Sequence, residues 1–297
     1  MWFSETTHIA LALPLIQWPF PVFFQMTLNE TVFEMHFHRP LIDLFRRECG
    51  LGENTAINFY KYSPQKEAFI GFDQAFAMTE QSDQEFYQEL RDAAMNRGYR
   101  LRSTYIAYFL QFKVVSRLMR RQAKTPPQIA TNPHFRSSLD TTRNERSGFS
   151  QHELLFDLNR NANAFVYYAC PMIFDKADLY ATTVDLGLLR LADISSCPSS
   201  HCDNEKHYIY FKSQDSDPIW CSEPVVGRAL APVDLLEQIL AQLRTLSQEE
   251  SASQVLKILE YIRGYGSDRE GVRNSLTEKY AGLRSVADTL TILRFDH

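Results

Sequence analysis

Residues 104–115 read TYIAYFLQFKVV. Most of this run is apolar at both parities, which marks a strand covered on both faces at the centre of a sheet. Two residues break the pattern. Gln111 and Lys113 are spaced by two and so share one face of the strand. A lysine in a central strand is costly unless its charge is paired or its pKa is lowered. An acid, or a metal site with an anionic substrate, is therefore expected opposite it. Asp73 in FDQAF and Glu34 in VFEMHF sit upstream in equally apolar surroundings. Three charges in three greasy elements point to one convergent site.

The rest of the chain is read around that strand. The spacing of Phe33, Phe37, Leu41, Leu44 and Phe45 predicts a helix over 27–48, with Thr27 and Glu30 as a capping box and Pro40 as a kink. Strands are expected over 56–62 and 66–78, then a helix from Ser82 to about Arg97 closed by Gly98. Residues 116–148 are polar, carry Pro126, Pro127 and Pro133, and read as loop. A short helix over 150–158, a buried strand over 164–174, a helix over 175–192, a loop over 195–206 and a strand over 207–212 follow, with a partner strand near 219–221. From about residue 231 the apolar spacing is helical to the end. The order predicts a mixed α/β domain over 27–230 and a C-terminal helical segment over 231–297, whose faces would serve packing or self-association into a homo-oligomer.

Composition narrows the function. Lys and Arg number 31 against 36 Asp and Glu, a net charge of −5, which excludes a protein that coats nucleic acid by bulk charge but leaves room for a local basic surface. Only 11 glycines occur, with no GxGxxG, P-loop or GxSxG motif, so Gly-rich nucleotide loops and a nucleophile elbow are disfavoured. Five scattered cysteines are no disulfide framework and point to a reducing cytoplasm. Cys197, His201, Cys202, His207 and Cys221 are zinc-ligand types, but their spacing is irregular and no CxxC exists, so zinc is not expected there. Residues 9–28 are apolar enough to raise membrane attachment. Pro14, Pro19 and Pro21 would break a spanning helix, and no Lys or Arg precedes the stretch as a signal peptide requires. Residues 1–26 are read as an extension, with Met26 as the expected start and no membrane partner.

The helix with Phe33-Glu34, the ribbon ending in Asp73 and the strand with Gln111-Phe112-Lys113 resemble the PD-(D/E)XK nuclease superfamily, in the variant whose third motif is Gln-x-Lys. The resemblance covers roughly half of the chain and its motifs are short and degenerate. It departs in two places: Phe72 stands where a proline is usual, and residues 79–103 insert a helix between the second and third motifs. The resemblance implies a restriction-endonuclease-like fold, a mixed central sheet flanked by helices. It also implies phosphodiester hydrolysis of nucleic acid, DNA foremost, in defence against foreign DNA. Asp73, Glu34 and Gln111 would hold Mg²⁺ or Mn²⁺, and Lys113 would position and help deprotonate water or stabilise the transition state. The missing third carboxylate keeps a rival in view: a catalytically inactive binding or assembly module of the same fold.

Residues 113–146 carry eight basic side chains against Asp140 and Glu145. Arg117, Arg120, Arg121 and Lys124 follow the third motif directly and are the expected nucleic-acid contacts. Elsewhere plain readings serve: Glu67 a solvated strand end, His36 and His38 exposed helix positions, and Gln151-His152-Glu153 a polar first turn.

Overall fold

A computed structural model describes residues 28–48, 58–61, 83–95, 103–123, 125–130, 132–143, 149–180, 183–203, 205–264 and 290–296. In chain order the elements are α1 (Glu30–Glu48), β1 (Asn58–Lys61), α2 (Asp83–Ala94), β2 (Ser103–Phe112), β3 (Ser116–Leu118), β4 (His134–Ser138), α3 (Gln151–Ala162), β5 (Phe165–Pro171), α4 (Lys176–Leu179), β6 (Leu189–Asp193), β7 (Tyr208–Phe211), β8 (Pro218–Cys221), β9 (Val225–Val226), β10 (Ala229–Leu230), α5 (Pro232–Leu243), α6 (Gln248–Gly264) and β11 (Leu290–Asp296). Single 3-10 turns lie at Leu186–Leu188, Ile194–Ser196 and Ser199–Cys202. The protein is mixed α/β, with one mixed and one antiparallel sheet flanked by helices.

α1 forms because Phe33, Phe37, Leu41, Leu44 and Phe45 make one buried stripe, and Pro40 is accommodated inside it. Its cap is Asn29, whose Oδ1 accepts from Val32 N at 2.9 Å. The expected cap Thr27 lies outside the described residues. Asn29 does that work, so the Glu30 side chain is committed elsewhere.

The first sheet has the order β1-β11-β2-β5-β6-β10, and the second β3-β4-β7-β8-β9. Among the described pairings only β2 and β5 run parallel, with Tyr108 opposite Phe165 and Phe112 opposite Ala169. Lys113 N donates to Ala169 O at 2.9 Å, so the ladder continues past Phe112. β2 is the covered central strand that its apolar run predicts. Ile106, Tyr108, Leu110 and Phe112 pack with α1 and α5. Tyr105, Ala107 and Phe109 pack with α2, α3, α6 and the inner face of the second sheet. Fully buried Phe33, Phe109, Leu155 and Trp220 stabilise these layers by roughly 1.5–3 kcal/mol each.

Three expectations are corrected. Residues 116–148 are not all loop: β3 and β4 pair there, and β4 pairs on to β7. The prolines that argued for loop lie between the two strands. The helix expected over 175–192 is only α4, followed by a turn and β6, whose LRLAD run is too short for apolar spacing to separate strand from helix. The C-terminal segment is helical in α5 and α6 but ends in β11, which lies between β1 and β2. Thr291 and Ile292 are β-branched, and Ile292 is buried in the sheet's core. β11 therefore belongs to the main sheet, where a helix was expected to run to the end of the chain. The strand expected over 66–78 lies outside the described residues. Both edges of β2 are occupied, by β11 and β5. Among the described residues no helix is long and apolar enough to cross a membrane.

Candidate active site

β2 ends where α1 and α3 begin. α3 precedes β5 and runs back along it, which brings its first residue, Gln151, to the level of Lys113. Ser150 caps α3 by accepting from Glu153 N at 3.1 Å, and Asp140 O accepts from His152 N at 3.0 Å. Two helix N-termini, each with a positive dipole end, thus meet the carboxyl end of a parallel strand pair.

Four side chains interlock at that point. Lys113 Nζ donates to Glu30 Oε1 at 3.0 Å and to Gln151 Oε1 at 3.3 Å. Gln111 Nε2 donates to Glu30 Oε2 at 3.2 Å and to Phe112 O at 3.2 Å. Gln151 Nε2 donates to Gln111 Oε1 at 2.8 Å. Lys113 is 5% exposed and Glu30 44%, so the carboxylate forms the solvent side of a buried cation. Nζ also lies 5.8 Å from the centroid of the Tyr168 ring, which adds a cation–π contact beneath it.

The expectation of an acid facing Lys113 and Gln111 is met by Glu30, one helical turn before Glu34. Residues four apart share a helix face, so the apolar sequence around Glu34 pointed to the right face of α1 but not to the right turn. Glu34 is half-buried on that helix. Asp73 and Glu67 lie outside the described residues, as does Lys124. Gln111 and Lys113 are brought together as their spacing predicts. Gln151 goes beyond its reading as a polar first-turn residue, for it joins both. Its signal was its place at the start of a helix leading into the strand beside β2.

Among the described residues no group of three or more His, Cys, Asp and Glu side chains is arranged to hold a metal ion. The oxygen donors at this point are Glu30 and the Gln111 and Gln151 amides. Such donors suit a hard cation, which takes one or two carboxylates and completes its shell with water and phosphate. Arg117, Arg120 and Arg121 are exposed and start four residues beyond Lys113, on edge strand β3 and the turn after it. Arg136 is engaged differently, bonded to Gln122 Oε1 at 2.7 Å and stacked 4.8 Å from the Tyr208 ring centroid. A small, mainly apolar cavity lined by Tyr105, Phe165, Ile239, Gln242, Gln254 and Ile258 lies at the opposite end of β2 and takes no part in this site.

Behind Tyr168 lies a second polar group. Tyr168 Oη and His152 Nδ1 are 2.8 Å apart, and His152 Nε2 is 3.7 Å from Cys197 Sγ. Burial, then the His201, His207 and Lys113 charges, push the His152 pKa down to about 3, so its ring is neutral. Burial raises Tyr168 well above the usual phenol range, and Tyr168 stays protonated.

Comparison with family models, curated proteins and solved structures returns no match.

Proposed function

We propose that this chain is a metal-dependent nuclease of restriction-endonuclease-like α/β fold, acting on DNA, with Lys113, Gln111, Glu30 and Asp73 at its centre. The observation that carries the reading is the buried Lys113 cation held at the meeting of two helix N-termini by a half-exposed carboxylate. A phosphate group entering there meets an ammonium, two amide side chains and two positive helix ends. The arginines of β3 extend the same attraction along a nucleic-acid backbone.

Glu30 and Asp73 would hold Mg²⁺ or Mn²⁺, which when bound supplies polarisation of the phosphoryl oxygen and a more acidic water. Gln111 and Gln151 keep Lys113 at a fixed point. Lys113 Nζ then orients the attacking water and stabilises charge that grows on the phosphoryl oxygens. Action against foreign DNA rests on the family resemblance alone.

One observation favours a second reading, a non-catalytic nucleic-acid-binding or assembly module: Glu30 is the sole carboxylate hydrogen-bonded to Lys113 among the described residues. Incubation of the full chain with supercoiled plasmid and Mg²⁺ or Mn²⁺ separates the two. Nicking that falls at least a hundredfold in Lys113→Ala and Asp73→Asn, with plasmid binding retained, is the expected result. Binding without nicking in the unaltered protein selects the module, and nicking unchanged in Lys113→Ala overturns the assigned centre.

A further inference from the structure

Tyr168 stands opposite Gln111 in the parallel β2–β5 register, so its side chain leaves the sheet on the face of Gln111 and Lys113. Its ring lies beneath the ammonium, with Nζ 5.8 Å from the centroid. The ring is itself held in place. Trp220 contacts it at 6.3 Å between centroids, and the His152 ring lies nearly parallel to it at 5.9 Å. A phenylalanine would fill the same space, so the buried hydroxyl calls for its own explanation.

The atoms behind the ring fix which way that hydroxyl points. Burial pushes the Cys197 thiol up, so it keeps its proton. Its Sγ is 3.7 Å from Pro198 O, an oxygen that can only accept, and the thiol proton lies there. His152 Nε2, 3.7 Å from the same sulfur, then donates to it. His152 is neutral and has a single N–H, so its Nδ1 is bare and accepts from the Tyr168 O–H at 2.8 Å. Tyr168 thus donates to His152, His152 to Cys197 and Cys197 to Pro198 O. A phenol that offers its proton to a nitrogen gains electron density in its ring, and polarisation along such a chain adds to it. The face under Lys113 becomes more negative, which is the face a cation prefers.

Glu30 has two duties under the nuclease reading, on which this inference rests. Its Oε1 accepts from Lys113 and its Oε2 from Gln111. Recruitment of Glu30 to a divalent cation weakens that hold, because like charges then repel across the site. We propose that Tyr168, polarised by His152, is the positioning residue that keeps the Lys113 ammonium in place when Glu30 turns to the metal. Tyr168 is 1% exposed and acts through Lys113 rather than on substrate. His152 follows Gln151, so the start of α3 supplies both the amide that accepts from Nζ and the imidazole that tunes the ring beneath it.

The test varies the charge on the ring face while keeping its shape. Full chains carry Tyr168→Phe or Tyr168→trifluorophenylalanine, each with Lys113 and with Lys113→Met, and urea unfolding compares the four. Fluorine draws charge from the face, so the folding constant is expected to fall roughly threefold to tenfold more with Lys113 present than with Lys113→Met. Adding Glu30→Gln, which imitates release of the carboxylate, widens that gap. Equal falls in the two backgrounds overturn the proposal, as does a gap that Glu30→Gln abolishes. Nitrogen NMR of labelled histidine finds the His152 proton on Nε2; a proton on Nδ1 overturns the polarised ring. In plasmid nicking the fluorinated variant is expected to lose roughly threefold to tenfold in rate against Tyr168→Phe, with KM for plasmid unchanged. A nicking rate indifferent to fluorination overturns the positioning role. Failure of the unaltered protein to nick overturns the nuclease reading instead, while the urea gap still supports the Tyr168–Lys113 coupling.

Discussion

Lys113 and Glu30 are partners of unequal burial, and that inequality predicts unequal costs of removing each. Two unit charges 3.0 Å apart attract by about 5 kcal/mol at an effective dielectric near 20 and by about 1.4 kcal/mol in water. The pair spans both regimes, because the lysine is 5% exposed and the glutamate 44%. Glu30→Gln keeps the shape and leaves the ammonium desolvated with only amide oxygens to accept from it. The Lys113 desolvation cost stays while the attraction goes, so the loss is about 2–3 kcal/mol, below the full buried-pair value because water reaches the Glu30 side. Lys113→Met removes the cation together with its desolvation cost. The stranded carboxylate turns to solvent, and the change stays within about 1 kcal/mol. The double variant therefore recovers most of what Glu30→Gln loses. Urea unfolding of the four proteins at neutral pH measures the cycle. Lys113→Met costing as much as Glu30→Gln would refute the assignment of the charge penalty to the lysine.

Other consequences are separable. His152 and His201 are held neutral, with pKa values lowered to about 3 and about 4. Their contribution is full above the ordinary value of 6.5 and is lost as pH falls toward those values, since the unfolded chain takes up the protons. At pH 5.5 each costs about 1.4 kcal/mol relative to pH 8, and urea midpoints at the two pH values check the sign. Replacing Arg117, Arg120 and Arg121 with Gln weakens DNA binding evenly across sequences and lowers the salt slope by about 2–3, read by fluorescence anisotropy against salt concentration. Ending the chain at residue 289 removes β11 from between β1 and β2, and loss of the cooperative thermal transition is expected; a truncated chain that melts like the full one would contradict the sheet order.

How much of this was legible in the sequence varied with the kind of signal. β2 is legible because a run apolar at both parities has few other places to go, and its two polar residues announce a site. α1 is legible from one stripe of Phe and Leu. Glu30 was hidden by local chemistry: at the start of a helix a glutamate is read as a cap partner, and only the tertiary meeting with Lys113 gives it another role. β3, β4 and β6 were hidden because runs of three to five residues carry too little periodicity to separate strand from helix. β11 is a long-range pairing more than 170 residues from β2, and no local pattern encodes which strand it joins. The His152–Cys197 approach is of the same kind, since irregular spacing along the chain says nothing about distance across the fold.

The placement of the site follows from one topological fact. β2 and β5 are parallel, so the chain must leave the carboxyl end of β2, cross over, and re-enter beside it at the other end. That crossover contains β3, β4 and α3, and β3 and β4 are also the start of the second sheet. One connection therefore does three things. It opens a crevice at the end of β2, where Lys113 leaves the sheet. It returns α3 with Gln151 at that crevice. It also grows the edge strand whose arginines flank it. An antiparallel β2–β5 pairing would need only a short turn at the same place, and that turn would fill the crevice. The buried cation is tolerable because the crossover brings its partners with it. Any chemistry at Lys113 is thus coupled to the stability of the second sheet. Destabilising that sheet from its inner face, as at Trp220, whose ring lies 6.3 Å from that of Tyr168, should loosen Gln151 before it unfolds β2; hydrogen exchange at Gln151–Leu155 rising ahead of exchange at Tyr108–Phe112 in Trp220→Phe would show it, and equal exchange at the two would refute that coupling.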